Sequence, residues 1–241
     1  MENSVYLGLS RQMVLRTNMG IVSNNIANMT TPGFRGQNGL FAEYISDPRG
    51  SDEELSFVYD RGQYENSTPG PLEQTDNPLD IALVGPGFFG VQGPTGETVY
   101  TRAGNFQIGT NGNLQTSAGY DVLDAGGAAI VIPENATEVK VDKRGVVSTQ
   151  DGAIGEIQIV EFPNTEELEA LGNNVYKAVT PGNPATETVA QQGFVEGSNV
   201  NAVLEMTKMI EVSRSFQSMQ QAMQVENDRL RKAIQTLTKT T

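Results

Sequence analysis

Apolar residues recur at helical spacing at both ends of this chain and at strand spacing between them. Near the C-terminus Met209, Phe216, Met223, Leu230 and Leu237 repeat every seven positions, with Val212, Met219 and Ala233 three positions after members of that series. The whole stretch from Ser198 to Thr241 contains no Gly and no Pro. At the other end Leu15, Met19, Val22, Ile26 and Met29 follow a 4-3-4-3 spacing and stop just before Thr31-Pro32-Gly33. Both patterns predict helices with a narrow apolar seam of the kind that coiled coils bury. A helix over Ser4–Met29 spans roughly 39 Å and one over Val200–Thr238 roughly 58 Å, at about 1.5 Å per residue. Ser198-Asn199 supplies the expected N-cap of the second helix, and Pro32-Gly33 the expected stop of the first. The longer helix outreaches a domain built from the intervening residues, so its stripe needs the first helix, other subunits, or both.

Between the helices, Gly, Asn, Asp and Pro punctuate the chain every 8–12 residues, as in short-strand β architectures. Strands are expected at Leu79–Val84, Phe88–Gln92, Val99-Tyr100, Phe106–Ile108, Tyr120–Leu123, Ile130–Ile132, Val139–Val141, Val146–Ser148 and Ile154–Val160, with a short helix at Thr165–Leu171. Residues 36–75 are poor in apolar anchors and read as an extended hairpin or mobile linker. The expected organisation is therefore α+β. It comprises an N-terminal helix (1–35), a hairpin or linker (36–75), a central, mostly antiparallel β domain (76–195) and a C-terminal helix (196–241). The two helices are paired as a coiled-coil-like stalk.

The chain has 241 residues and contains no Cys, His or Trp, which removes thiol nucleophiles, disulfides, imidazole bases and the commonest zinc ligands. No basic segment followed by an apolar one opens it, and no run of about 18 apolar residues occurs, so neither a Sec signal peptide nor a membrane span is expected. The net charge of −13 is concentrated in the middle, where residues 36–195 hold 23 acidic and 7 basic side chains. The near-neutral ends are free to approach copies of themselves, and no basic stripe exists for nucleic acid. Gly85-Pro86-Gly87-Phe88-Phe89-Gly90 matches a dinucleotide fingerprint, but Phe88-Phe89 continues as strand where a helix is required, and Pro86 lacks an N–H. Glu166, Glu167 and Glu169 read as a solvated face, and Asp121 and Asp124 lack calcium-loop spacing. No catalytic, metal or cofactor site is expected.

One segment is more specific. Ser23-Asn24-Asn25-Ile26-Ala27-Asn28, then Thr30-Thr31-Pro32-Gly33-Phe34, places several amides at the end of an apolar helix, a density that fits hydrogen bonding between packed helices. It resembles the N-terminal signature of the bacterial flagellar axial proteins, which comprise rod, hook and hook-associated proteins. Asn77-Pro78-Leu79-Asp80-Ile81-Ala82 with Gly87-Phe88-Phe89 and Tyr100-Thr101-Arg102-Ala103-Gly104-Asn105-Phe106 is similar to the β-domain motif of that family. Gly197-Ser198-Asn199-Val200-Asn201 with Glu205-Met206, Met209-Ile210 and Arg214-Ser215-Phe216 is similar to its C-terminal motif. The chain departs from the common pattern at Pro86 and Ala103. Its length and its opening, Val5–Ser10, resemble the shorter proximal rod members more than distal rod or hook members.

The resemblance implies a non-enzymatic subunit of the periplasmic basal-body rod that is needed for motility, exported through the flagellar type III apparatus and assembled helically with further copies and other rod proteins. The expected assembly interface comprises Met19, Val22, Ile26 and Met29 against Met209, Phe216, Met223 and Leu230, with Asn24, Asn25 and Asn28 setting register. A distal rod subunit remains an alternative reading, as does a secreted β-domain binding module with a helical oligomerisation stalk.

Overall fold

The computed structural model describes residues 2–46 and 55–239. The side chains of Glu166 and Leu237, both singled out above, lie outside the described set. The described chain is α+β and divides into two compact units, residues 1–27, 37–66 and 201–241 forming the first and residues 28–36 and 67–200 the second.

In the first unit, helix α1 (Glu2–Ala27) is followed by strands β1 (Gln37–Ser46) and β2 (Leu55–Glu65) and by helix α2 (Ala202–Lys239). Within the segment read as hairpin or linker, β1 and β2 pair antiparallel, whereas Leu72–Gln74 pairs with Phe194–Glu196 in the second unit; residues 47–54 lie outside the described set. Helix α1 packs against α2 and against both strands. The helix ends differ from those expected. α1 stops at Ala27, before Pro32, because the chain turns at once, with the Thr31 N–H donating to the Asn28 carbonyl at 3.1 Å. α2 is capped by Asn201, whose side-chain oxygen accepts from the Leu204 N–H at 3.1 Å. Ser198 and Asn199 act before the helix: the Asn199 side chain accepts from the Gly36 N–H at 2.8 Å and donates to the Thr68 carbonyl at 2.7 Å.

The second unit is built on a six-stranded antiparallel sheet ordered Leu168–Gly172, Val175–Ala178, Thr98–Thr101, Phe88–Gln92, Ile159–Glu161 and Asn183-Pro184. Smaller antiparallel pairings surround it, including Ile81–Val84 with Val189–Gln192 and Leu72–Gln74 with Phe194–Glu196. Ile81, Phe89, Val91, Val99, Leu114, Val122, Val147 and Ile157 form its buried core. A second cluster stacks Phe88, Tyr100, Phe162 and Tyr176 edge to face, with centroids 4.8–5.8 Å apart. The expected strands at Tyr120–Leu123 and Ile130–Ile132 appear only as isolated bridges. The expected helix at Thr165–Leu171 is corrected to one 3-10 turn, Thr165–Glu167, running into a strand. Two residues close the next hairpin, Asn173 and Asn174, both at positive φ (49° and 60°). Such a turn matches strand twist and selects the strand over a helix that local composition favours.

Two ionic features, one buried and one half-exposed, hold this unit. Arg102 and Glu196 form an ion pair at 3.1 Å between fully buried side chains, closed by charge rather than by an aligned hydrogen bond. The Arg102 guanidinium also donates to the Gly85 carbonyl at 2.8 Å and to the Gly87 carbonyl, so it fastens the turn that resembled a dinucleotide loop. Burial pulls the Arg102 pKa below its usual value, opposed by the Glu196 charge. The Pro32-Gly33 break docks on this pair, the Gly33 N–H donating to the Glu196 carbonyl at 2.7 Å. Gly33 sits at φ 66°, and a Cβ there would lie 2.5 Å from the Arg102 carbonyl carbon, so only glycine fits. Elsewhere the Glu161 carboxylate accepts from the Thr188 N–H (2.8 Å), the Thr188 hydroxyl (2.7 Å) and the Glu187 N–H (2.9 Å). Burial acts to raise its pKa, but these donors prevail and hold it at about 2.

Candidate assembly surface

The first unit carries most of the residues singled out by periodicity. Along α2, each of the positions 205, 209, 212, 216, 219, 223, 226 and 230 is buried or half-buried, which is the alternating 4-3 ladder of a single helix face. Met209, Phe216, Met223 and Leu230 are therefore on the inward side of α2. The ladder also includes Glu205 and Glu226, which an apolar pattern does not reveal. On α1, Val22 is buried and Met19 and Ile26 are half-buried.

The helices approach closely at Gly8. A Cβ placed there would lie 3.0 Å from Met223 Cγ and 3.7 Å from Met219 Sδ. The absence of a side chain lets the backbone of α1 approach two flexible methionines, which fill the irregular space left beside it. Next to this contact is a cavity of about 460 Å³ lined by Val5, Gly8, Arg11, Val58, Met223 and Glu226, among others.

The three asparagines differ. Asn25 is buried and uses both ends of its amide. Its oxygen accepts from the Gln37 N–H at 2.8 Å, and its nitrogen donates to the Gln37 carbonyl at 2.8 Å and to Glu205 Oε2 at 3.1 Å. Glu205 in turn pairs with Lys208 at 2.6 Å. One side chain thus fixes α1 against α2 and against the start of β1. Asn24 is exposed and donates to Gln37 Oε1 at 3.3 Å. Asn28 and Met29 fall beyond α1, in the second unit, where Asn28 Oδ1 accepts from the Thr31 hydroxyl at 3.1 Å. The structure gathers the other singled-out side chains into the helical unit and leaves these two out of it.

A second set was not anticipated. Tyr6, Leu9 and Met13 on α1 and Val203, Met206 and Ile210 on α2 are exposed apolar side chains at 3-4 spacing. On α1 sequence periodicity passed over Tyr6, Leu9 and Met13 because that helix is apolar on more than one face.

The chain matches three family profiles: "Flagella basal body rod protein" over residues 6–35, "Flagellar hook protein FlgE/F/G D1 domain" over 82–149, and "Flagellar basal body rod FlgEFG protein C-terminal" over 191–236. It is 38% identical to the flagellar basal-body rod protein FlgF of Caulobacter vibrioides over 99% of both chains. The chain belongs to the flagellar basal-body rod protein family. The FlgF protein of Mesorhizobium japonicum is 36% identical over 98% of both chains, and the FlgG protein of C. vibrioides is 34% identical over 83% of this chain and 86% of its own. As a member of the rod family the chain is a structural subunit of the flagellar basal body. Ser23–Phe34 lies within the first matched stretch, Gly87–Phe89 and Tyr100–Phe106 within the second, and Gly197–Phe216 within the third. No helix among the described residues is long and apolar enough to cross a membrane.

Proposed function

We propose that this chain is a rod subunit of the FlgF type that polymerises helically through its terminal helices and carries no catalytic activity. The observation that carries the assignment comes from one organism: C. vibrioides FlgF matches at 38% over 99% of the chain, whereas its FlgG matches at 34% over 83%. Within the subunit, α1 and α2 form a coiled-coil-like seam, a reading supported by the unbroken burial ladder from Glu205 to Leu230. The apolar side chains outside that seam, among them Tyr6, Met13, Val203 and Ile210, then meet further copies and other rod proteins. Open-ended growth of this kind requires a heterologous interface, in which one face of a subunit meets a different face of the next. Export proceeds unfolded through the flagellar type III apparatus, and assembly completes the ordering of the helices. The rod so built transmits torque across the periplasm and encloses the export channel. Deleting the gene tests the assignment: basal bodies should stop at a truncated rod without hooks, and cells should be non-motile. Complete hooks in the deletion strain overturn it.

A further inference from the structure

Arg35 and Arg102 sit on one buried ring in the β-rich unit, yet their guanidinium groups are partnered very differently. The Cζ of Arg35 lies 4.9 Å from the Phe88 centroid and that of Arg102 lies 5.5 Å from it. Both residues are buried, at 6% and 2% exposure. Arg102 uses its guanidinium on the Gly85 and Gly87 carbonyls and on the Glu196 carboxylate. Arg35 donates to no carbonyl, hydroxyl or carboxylate among the described residues and forms no ion pair with any of them. Its Nε is sealed from solvent without a hydrogen-bond partner, and its two terminal nitrogens, which are not sealed, are without one as well.

A guanidinium has five N–H donors and no acceptor. The face of Phe88 attracts the cation but leaves the donors of the planar fork unused. Buried polar groups in folded proteins find partners, and a buried charge without a counter-charge is costly. Around Phe88 there are thus two cations and one carboxylate, and that carboxylate is committed to Arg102. The excess is felt inside the cluster. Burial pulls the Arg102 pKa down, the Glu196 charge opposes this, and the Arg35 charge adds to the lowering.

The backbone on either side of Arg35 is pinned. The Gly33 N–H donates to the Glu196 carbonyl at 2.7 Å, the Asn199 N–H donates to the Phe34 carbonyl at 3.3 Å, and the Gly36 N–H donates to Asn199 Oδ1 at 2.8 Å. These bonds fix where the side chain starts, and the Phe88 ring fixes where it ends. A fork held in this way has little freedom left to lose on binding.

We propose that Arg35 anchors an oxyanion site, its two terminal nitrogens taking two oxygens of a phosphate or carboxylate group side by side. The bound anion supplies the negative charge that the Phe88 cluster lacks.

Inorganic phosphate is the probe, titrated into the full-length protein at an ionic strength held constant with chloride. The Nε–Hε resonance of Arg35, assigned by its loss in Arg35→Met, should shift saturably, and the denaturation midpoint of the β-rich unit should rise. Arg35→Met keeps an apolar contact with Phe88 and removes the uncompensated charge, so phosphate should leave its midpoint unmoved. Arg35→Lys keeps the charge and loses the fork, and its phosphate affinity should fall at least threefold. Arginine kept only for its contact with Phe88 gives a difference between parent and Arg35→Met that is independent of phosphate, and that result overturns the proposal. A parent resonance that does not respond to phosphate overturns it too. The same resonance in polymerised protein separates two sources of the oxyanion. A carboxylate from an adjacent subunit shifts it without phosphate, whereas a dissolved anion leaves it dependent on phosphate. The site belongs to the β-rich unit of the monomer, so its failure leaves the rod assignment standing.

Discussion

Asn25 of α1 donates a hydrogen bond to Glu205 of α2 at 3.1 Å, joining two buried side chains 180 positions apart in sequence. A polar contact at a helix seam penalises slipped packings, because any other register strands a carboxylate and an amide without partners. Asn25→Ala should therefore destabilise the helical unit by about 2 kcal/mol, since Glu205 and both backbone groups of Gln37 lose a partner. Asn24→Ala, at an exposed position, should cost no more than about 0.5 kcal/mol. Hydrogen exchange of α1 amides in the two variants measures the difference.

Gly8 predicts a graded response. Gly8→Ala pushes only on the flexible Met223 side chain and gains helix propensity, so it should lie within about 0.5 kcal/mol of the parent. Gly8→Phe has no space at that contact and should separate the first turns of α1 from α2. A fluorescence or proteolysis probe of the N-terminal turns should register the second change and not the first.

The seven-residue repeats announced α1 and α2 because a face turned inward from Glu205 to Leu230 must repeat in sequence; Ala233, which continues the series, is exposed. They did not reveal Glu205 and Glu226, which occupy seam positions with polar side chains, nor the stripe Tyr6, Leu9 and Met13, which lies on a different face of α1. The density of asparagine pointed to the right segment, yet only the three-dimensional positions separate Asn25, which is buried, from Asn24, which faces solvent, and Asn28, which lies past the helix. In the Thr165–Leu171 segment the glutamates favour helix locally, while the turn at Asn173-Asn174 and the partner strand Val175–Ala178 decide the outcome.

In the β-rich unit, Arg102→Met leaves Glu196 buried without its ion-pair partner and releases the Gly85 and Gly87 carbonyls. Stability of that unit should fall by about 3–5 kcal/mol. Arg102→Lys should recover only part, because an ammonium lacks the planar fork that reaches Glu196 and both carbonyls together. Denaturant midpoints of the three proteins give the order: parent, Lys, Met.

Glu161 makes stability depend on acid. Its folded pKa of about 2 lies below the ordinary 4.5, so its contribution is present above about pH 4.5 and is lost as pH falls toward 2. Thr188→Val removes the hydroxyl that donates to the carboxylate at 2.7 Å. The variant should be less stable than the parent at pH 7, and the gap should close as pH approaches 2. Denaturation midpoints at pH 7, 4 and 2.5 follow this convergence, and a gap independent of pH contradicts it.

The assembly role proposed for this subunit lies in the helical seam, and Phe216 sits at its middle, half-buried on the inward face of α2. The direct measurement is rod incorporation and swimming in a deletion strain supplied with Phe216→Asp. A buried carboxylate at that position should open the helix pair while the β-rich unit keeps its folded, protease-resistant state. The expected result is no incorporation into basal bodies and no motility from an intact, exported protein. Normal rods and normal swimming with Phe216→Asp contradict it.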